Sequence, residues 1–185
     1  MNSIKPAPQG GGDMKPVAAS GDIAWPGWSA LETQRRVEHL LNRYVECLAD
    51  DALEHWPDFF VTDACRYEII TRENTERGMP LAIMLCTSHG MLVDRVVSLR
   101  QANIYPRRWF RHLLSNVVIH SVDDNGLTVH SSFVVFQTRN SGETTIFSAG
   151  KYVDRIVRHD GQLKFADKRV ILDTHRVDTL LVNPL

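Results

Sequence analysis

The sequence has no excess of charge of either sign, no long apolar run and few cysteines, and each shortage removes a class of function. Its 185 residues carry 21 Lys and Arg against 22 Asp and Glu. A net charge of −1 creates no overall field that would gather nucleic acid or an anionic membrane, so partners must be recognised locally. No stretch approaches the roughly 18 consecutive apolar residues of a membrane span. The opening residues MNSIKPAPQGGGDMKPVAASGD lack the apolar centre of a secretory signal, so a cytoplasmic protein is expected. Cys47, Cys65 and Cys86 are odd in number, far apart and set among apolar residues, which fits reduced buried thiols and not a disulfide framework.

The familiar signatures of catalysis are missing too. There is no His-Glu-x-x-His, no Cys-x-x-Cys and no Gly-x-Ser-x-Gly. The glycine run Gly10 to Gly12 has no strand before it, so it makes neither a P-loop nor a dinucleotide fingerprint.

What is present is enough apolar material, 43% of the residues, for one substantial core. Residues 1–28 hold four of the eight prolines and five of the eleven glycines with few large aliphatics, so they read as a flexible tail. Trp25 and Trp28 at its end are able to pin it to the domain or to a partner. From residue 29 onwards a single domain is expected. Val37, Leu40, Leu41, Tyr44, Val45 and Leu48 recur at three- and four-residue spacing and predict a first amphipathic helix. Leu53, Trp56, Phe59 and Phe60 predict a second, with Asp50 and Asp51 at its N-terminus. CRYEII reads as a strand and TRENTERGMP as a loop. A third helix follows, capped by Ser88, with Leu92, Val93, Val96 and Leu99 or Val97 inward. Beyond Arg107 four β-branched, aromatic-rich segments are separated by DDNG, RNSG and HDG, the composition of tight hairpin turns. Helices first and hairpins afterwards imply an α+β fold, with helices packed on one face of a curved antiparallel sheet.

Several groups of residues carry candidate chemistry. Cys86-Thr87-Ser88-His89 has the Cys-x-x-His spacing of one loop of a Rieske cluster. The upstream position that should supply the Cys-x-His loop reads Cys65-Arg66-Tyr67, with a Tyr where an imidazole is needed, so the ligand set is incomplete. His120 and His130 flank one turn and are placed to face each other across a hairpin, while His159 lies in a turn. Asp94 and Arg95 point to different sides of the third helix, so each pairs elsewhere. Asp63, His55 and Tyr67 come from one region and offer an acid/base set if they converge on a pocket. The basic aromatic run around Arg107, Arg108, Trp109, Arg111 and His112 suits a partner surface, since Arg and Trp carry much of the binding energy at interfaces. Nucleic acid is a weaker reading of the same run, because the charge is short and local.

The blocks WPDFF, GMLVDRVVSLRQANIY, RHLLSN, GETTIFSAGKYVDR and DTLLVNPL, in that order, resemble the small (β) subunit of aromatic-ring-hydroxylating dioxygenases. The likeness runs from about Leu31 to Leu185. It is nearest the branch acting on aromatic carboxylates such as terephthalate, salicylate, anthranilate and benzoate, with the terephthalate type nearest in these blocks. The resemblance implies a cone of the nuclear-transport-factor-2 (cystatin-like) kind. It implies no catalytic, cofactor-binding or metal-binding residue in this chain. The Rieske [2Fe-2S] cluster and mononuclear Fe(II) would sit on a large (α) subunit, with three α and three β subunits assembled and NADH electrons arriving through a separate reductase or ferredoxin. The alternative is a stand-alone isomerase or dehydratase, because the same cone hosts acid/base enzymes.

Overall fold

The computed structural model describes residues 23–102, 108–174 and 181–185. Helix α1 (Ala30–Ala49) starts where Ser29 Oγ accepts a hydrogen bond from the Glu32 amide at 3.1 Å, and it buries Val37, Leu40, Leu41, Tyr44 and Leu48. Before it, Trp25 is buried and its amide donates to Thr33 Oγ1 at 3.0 Å. Trp28 lies between the Arg36 and Arg158 guanidinium groups at 4.4 and 4.2 Å, so both tryptophans fasten the chain to the domain.

The predicted second helix is two separate 3₁₀ turns, Leu53–His55 and Pro57–Phe59. Pro57 has no amide proton to give the Leu53 carbonyl, so an α-helical ladder cannot run through it. Asp50 and Asp51 belong to the end of α1 and not to a new N-terminus; Asp51 takes φ 56° and turns the chain. Strand β1 (Arg66–Thr71) follows, and the segment expected to be a loop contains a short helix, α2 (Arg72–Glu76), capped by Thr71. Strand β2 (Met84–Cys86) leads to α3 (His89–Ala102). There Ser88 Oγ accepts from the Met91 amide at 3.3 Å, as the sequence suggests. Leu92 and Val96 face inward, but Val93 and Val97 are exposed, because the inward stripe of α3 is narrower than its apolar content.

The four long strands form as expected: β3 (Trp109–Asp123), β4 (Gly126–Thr138), β5 (Thr144–His159) and β6 (Gln162–Leu172), each antiparallel to the next. At the β5–β6 turn Asp160 and Gly161 both take positive φ, 50° and 76°, the hairpin conformation that suits an Asp-Gly pair. The sheet has the order β2-β1-β6-β5-β4-β3, with β1 parallel to β6. Register shifts interrupt β3, the β4–β5 pair and the β5–β6 pair, and such bulges bend strands and raise their twist. Gly150 sits where β5 and β6 approach most closely; a Cβ there would meet the Ile171 carbonyl oxygen at 2.1 Å. This α+β cone places α1 against the inner face of the sheet, which is where the core and the candidate sites lie.

Candidate functional site

Alternation along the strands sorts the inner face into rows that run across the sheet. One row is Tyr67, Lys168, Asp154, Val129 and Ile119, taken from β1, β6, β5, β4 and β3, and every member is buried. At its centre Lys168 Nζ lies 3.2 and 3.1 Å from the two carboxylate oxygens of Asp154, and neither side chain reaches solvent. The ammonium is ringed by Tyr152, Tyr44 and Phe165 at 3.7, 4.5 and 4.6 Å from the ring centroids. Burial pushes the Asp154 carboxyl up to about 6 and the Lys168 ammonium down, while the charge of each partner acts the other way. The short contacts and the aromatic faces favour the charged forms against that burial.

Above this row the cone is plugged. Trp56 Nε1 donates to Tyr44 Oη at 3.3 Å, and Tyr44 Oη donates to the Leu185 carbonyl at 2.8 Å. The Leu185 amide donates to Tyr67 Oη at 2.8 Å, and Tyr67 Oη donates back to the Leu185 carbonyl at 3.2 Å. Arg95 holds the approach to this plug through the carbonyls of Leu181 and Val182. Trp56, Phe60, Tyr67 and Phe165 interlock with centroids 5.0 to 6.0 Å apart. Among the described residues this plug leaves the Lys168 and Asp154 side chains with no exposure to solvent.

The acid/base set Asp63, His55 and Tyr67 does not converge. Asp63 is exposed, His55 is exposed and lies 3.5 Å from Asp58, and Tyr67 is sealed in the core against Leu185. The Cys86–His89 stretch joins the end of β2 to the first residue of α3. The Cys86 thiol points at the Met91 carbonyl at 3.8 Å, and burial pushes the Cys65 and Cys86 thiols up, away from the thiolate form that a cluster needs. Tyr67, in the place of the missing imidazole, is used by Leu185. These residues do not fit a Rieske cluster. His120 and His130 do meet across the hairpin, with ring centroids 3.8 Å apart.

Of the basic aromatic run, Arg107 lies outside the described residues. Trp109 is 48% exposed and shares the outer face of β3 with Arg111, next to Leu113 at 55% and, two strands away on β5, Ile146 at 66%. Arg108, which precedes the strand, is half-buried. His112 parts company with them. Alternation turns it to the inner face, where it is 8% exposed and neither ring nitrogen has a hydrogen-bond partner. Sequence reasoning also missed the Lys168–Asp154 pair; the signal was available, since both occupy inward positions of strands that the alternation identifies.

The sequence matches the family described as ring hydroxylating beta subunit over residues 43–179. It is 45% identical to the small subunit of anthranilate 1,2-dioxygenase from Burkholderia cepacia, over 84% of this chain and 96% of that one. Identity to the beta 2 subunit of the terminal oxygenase component of terephthalate 1,2-dioxygenase from Comamonas sp is lower, 35% over 77% of this chain and 92% of that one. Among solved structures, the β subunit assigned to an aromatic-ring-hydroxylating dioxygenase of Novosphingobium aromaticivorans superposes with a TM-score of 0.77 at 46% identity, over 84% of this chain and 99% of that chain.

Proposed function

The chain belongs to the family of ring-hydroxylating β subunits, and from that premise we propose that it is the non-catalytic small subunit of an aromatic-ring dioxygenase, supporting assembly of the large subunit. The observation that carries this reading is the filled interior of the cone among the described residues, where an enclosed ion pair, an aromatic plug and Leu185 occupy the core. The alternative, a stand-alone isomerase or dehydratase, needs Asp63, His55 and Tyr67 to converge on an open pocket, and these three residues lie apart.

In this reading the Rieske cluster and the mononuclear iron reside on the large subunit, three copies of each subunit assemble, and electrons come from NADH through a separate reductase in the cytoplasm. The substrate is an aromatic carboxylate, since anthranilate and terephthalate, named for the relatives' enzymes, both carry that group. The contact with the large subunit is the run Arg107, Arg108, Trp109 and Arg111, of which Trp109 and Arg111 lie on the outer face of β3 with Leu113 and, on β5, Ile146, while Arg107 lies outside the described residues. Exposed aromatic, aliphatic and guanidinium groups side by side are the composition of an interface centre. His112 supports this strand from the inner side.

Co-expression with the large subunit of an aromatic-carboxylate dioxygenase tests the proposal. A stable complex that elutes as one species and restores ring hydroxylation supports it. A large subunit that assembles and turns over equally well without this chain defeats it. Trp109→Ala with Arg111→Ala is expected to weaken the complex at least tenfold, as removal of central aromatic and Arg anchors does.

A further inference from the structure

The sheet ends in two edges of unequal length. One is β2, three residues long, and the other is β3, with fifteen. An edge strand turns the N–H and C=O of every second residue away from its neighbour, and a long exposed edge is a template for a further strand. β3 is guarded along only part of its length. From Ser115 onwards the register slips twice against β4, Asn116 takes φ 52°, and the Gln34 side chain of α1 donates to the Val117 carbonyl at 3.2 Å. Bulges and covering side chains of this kind keep an edge from pairing. Between Trp109 and Ser115 the register with β4 is unbroken, and among the described residues the backbone of Phe110 to Leu114 bonds to nothing but β4.

The side chains along this open stretch share one chemistry. Trp109, Arg111 and Leu113 stand on the outer face, while the half-buried Phe110 and Leu114 pack towards the core from the inner one. Residues 107–115 hold three Arg and no Asp or Glu. Arg111 is exposed and has no ion-pair partner among the described residues. Arg36, Arg77, Arg100, Arg139 and Arg155, by contrast, each meet a carboxylate of this chain.

We propose that the large subunit adds an extended segment to this edge as a seventh strand of the sheet, beside Phe110 to Ser115, with an acidic side chain opposite Arg111 and apolar ones against Trp109 and Leu113. The inference rests on the small-subunit reading and specifies how that contact is made. Main-chain hydrogen bonds to the open edge hold the segment, and its alternate side chains select it. A segment of about six residues, ~20 Å long, fills the stretch before the bulge. Charge decides the occupant. A second copy of this chain laid on the same edge would bring three more Arg and no acid, and like charges across a strand pair destabilise it. The basic edge therefore opposes self-pairing and accepts an acidic strand, so one feature guards against aggregation and chooses the partner.

Hydrogen exchange in the assembled complex tests the added strand. The full chain is exchanged alone and in complex with the co-expressed large subunit of an aromatic-carboxylate dioxygenase, and its amides are read residue by residue by mass spectrometry. Every second amide from Phe110 to Ser115 is expected to exchange freely in the isolated chain and at least tenfold more slowly in the complex, while the intervening amides, already bonded to β4, change less. Arg111→Glu should weaken the complex at least tenfold, and Arg111→Lys, which keeps the charge, by no more than about threefold. Arg111 is exposed, so both variants are expected to fold, which circular dichroism checks. A complex that forms while these amides exchange as in the free chain would overturn the added strand and leave the small-subunit reading standing. Failure to form any complex would overturn both. Slowing of the same amides when the isolated chain is concentrated would give the edge to a second copy, and equal weakening by the two Arg111 variants would remove the acidic partner; either result overturns the proposal.

Discussion

The two ends of the inner face bury polar groups in opposite ways. Around Lys168 and Asp154 each charge meets its partner, the ammonium is wrapped by three aromatic faces, and Tyr44, Tyr67 and Leu185 close a hydrogen-bonded ring above them. Around His112, Gln137 and Ser148 the side chains are also buried, but the two His112 nitrogens, Gln137 Nε2 and Ser148 Oγ have no hydrogen-bond partner. Tyr152 stands between the two ends, stacked on Phe133 at 4.4 Å with its hydroxyl unanswered. Burial alone therefore says nothing about whether a polar group is structural. The partner count does: the charges at the enclosed end offset one another, whereas each unpaired polar group at the other end is buried at a cost of about 1–3 kcal/mol.

The most forceful way to break this comparison is to remove one charge from the enclosed end. Asp154→Ala leaves an ammonium buried without a counter-charge, and a loss of about 3–5 kcal/mol is expected in urea unfolding. The double variant Asp154→Leu with Lys168→Met should recover most of that loss, because an apolar pair of similar volume avoids desolvating two ions. A single variant within about 1 kcal/mol of the native chain would mean that the pair does not hold this end.

Acidification sharpens the contrast at somewhat smaller cost. His112 titrates at about 4 in the folded chain and near 6.5 when unfolded, so between those values the unfolded chain takes up the proton first. Its contribution is fully present above pH 6.5 and lost as pH falls towards 4, about 2 kcal/mol of it by pH 5. Asp154 has the opposite sense. Its folded value of about 6 lies above the unfolded one, so its protonation favours the folded chain as pH falls through 6. Comparing the native chain with His112→Phe at pH 7 and pH 5 isolates the histidine: the native chain should lose ~2 kcal/mol more than the variant on going to pH 5. Parallel losses would place the titrating group elsewhere.

Most of the frame was legible in the sequence, and the reasons differ from element to element. The four long strands announced themselves through alternation and through Asp-Gly and Asn-Gly turn chemistry, which act over a few residues. Helix α1 did so through the spacing of Val37, Leu41, Tyr44 and Leu48. The Leu53–Phe59 segment misled because Trp56 and Phe60 fit a helical stripe while Pro57 breaks the hydrogen-bond ladder beneath it. The parallel pairing of β1 with β6 was invisible, since it joins residues some hundred positions apart and leaves no local pattern. His112 was misplaced for a related reason: a basic aromatic run reads as one surface, but a strand sends its successive side chains to opposite faces. The interface candidates Trp109 and Arg111 and the inward-facing His112 are interleaved residues of β3.

Tyr67→Phe tests the seal of the plugged end more gently. It removes the hydroxyl that accepts from the Leu185 amide and donates to its carbonyl, leaving a buried amide without a partner. A loss of about 1–2 kcal/mol is expected, with faster amide exchange confined to residues 181–185. Uniformly faster exchange would show that Tyr67 supports the whole core and not the plug.

The smallest effect on stability belongs to the outer face, a few ångströms of backbone away. Leu113 is 55% exposed and neighbours His112 in sequence, yet Leu113→Ser should change unfolding free energy by no more than ~0.5 kcal/mol, as surface substitutions do. If the outer face is the contact with the large subunit, the same substitution should weaken that complex several-fold, while His112→Phe, on the inner face of the same strand, should leave it unchanged. Alternate residues of one strand would then divide between partner binding and the core. Equal weakening by both variants would show that β3 responds as one unit, and that the division between its faces has no functional counterpart.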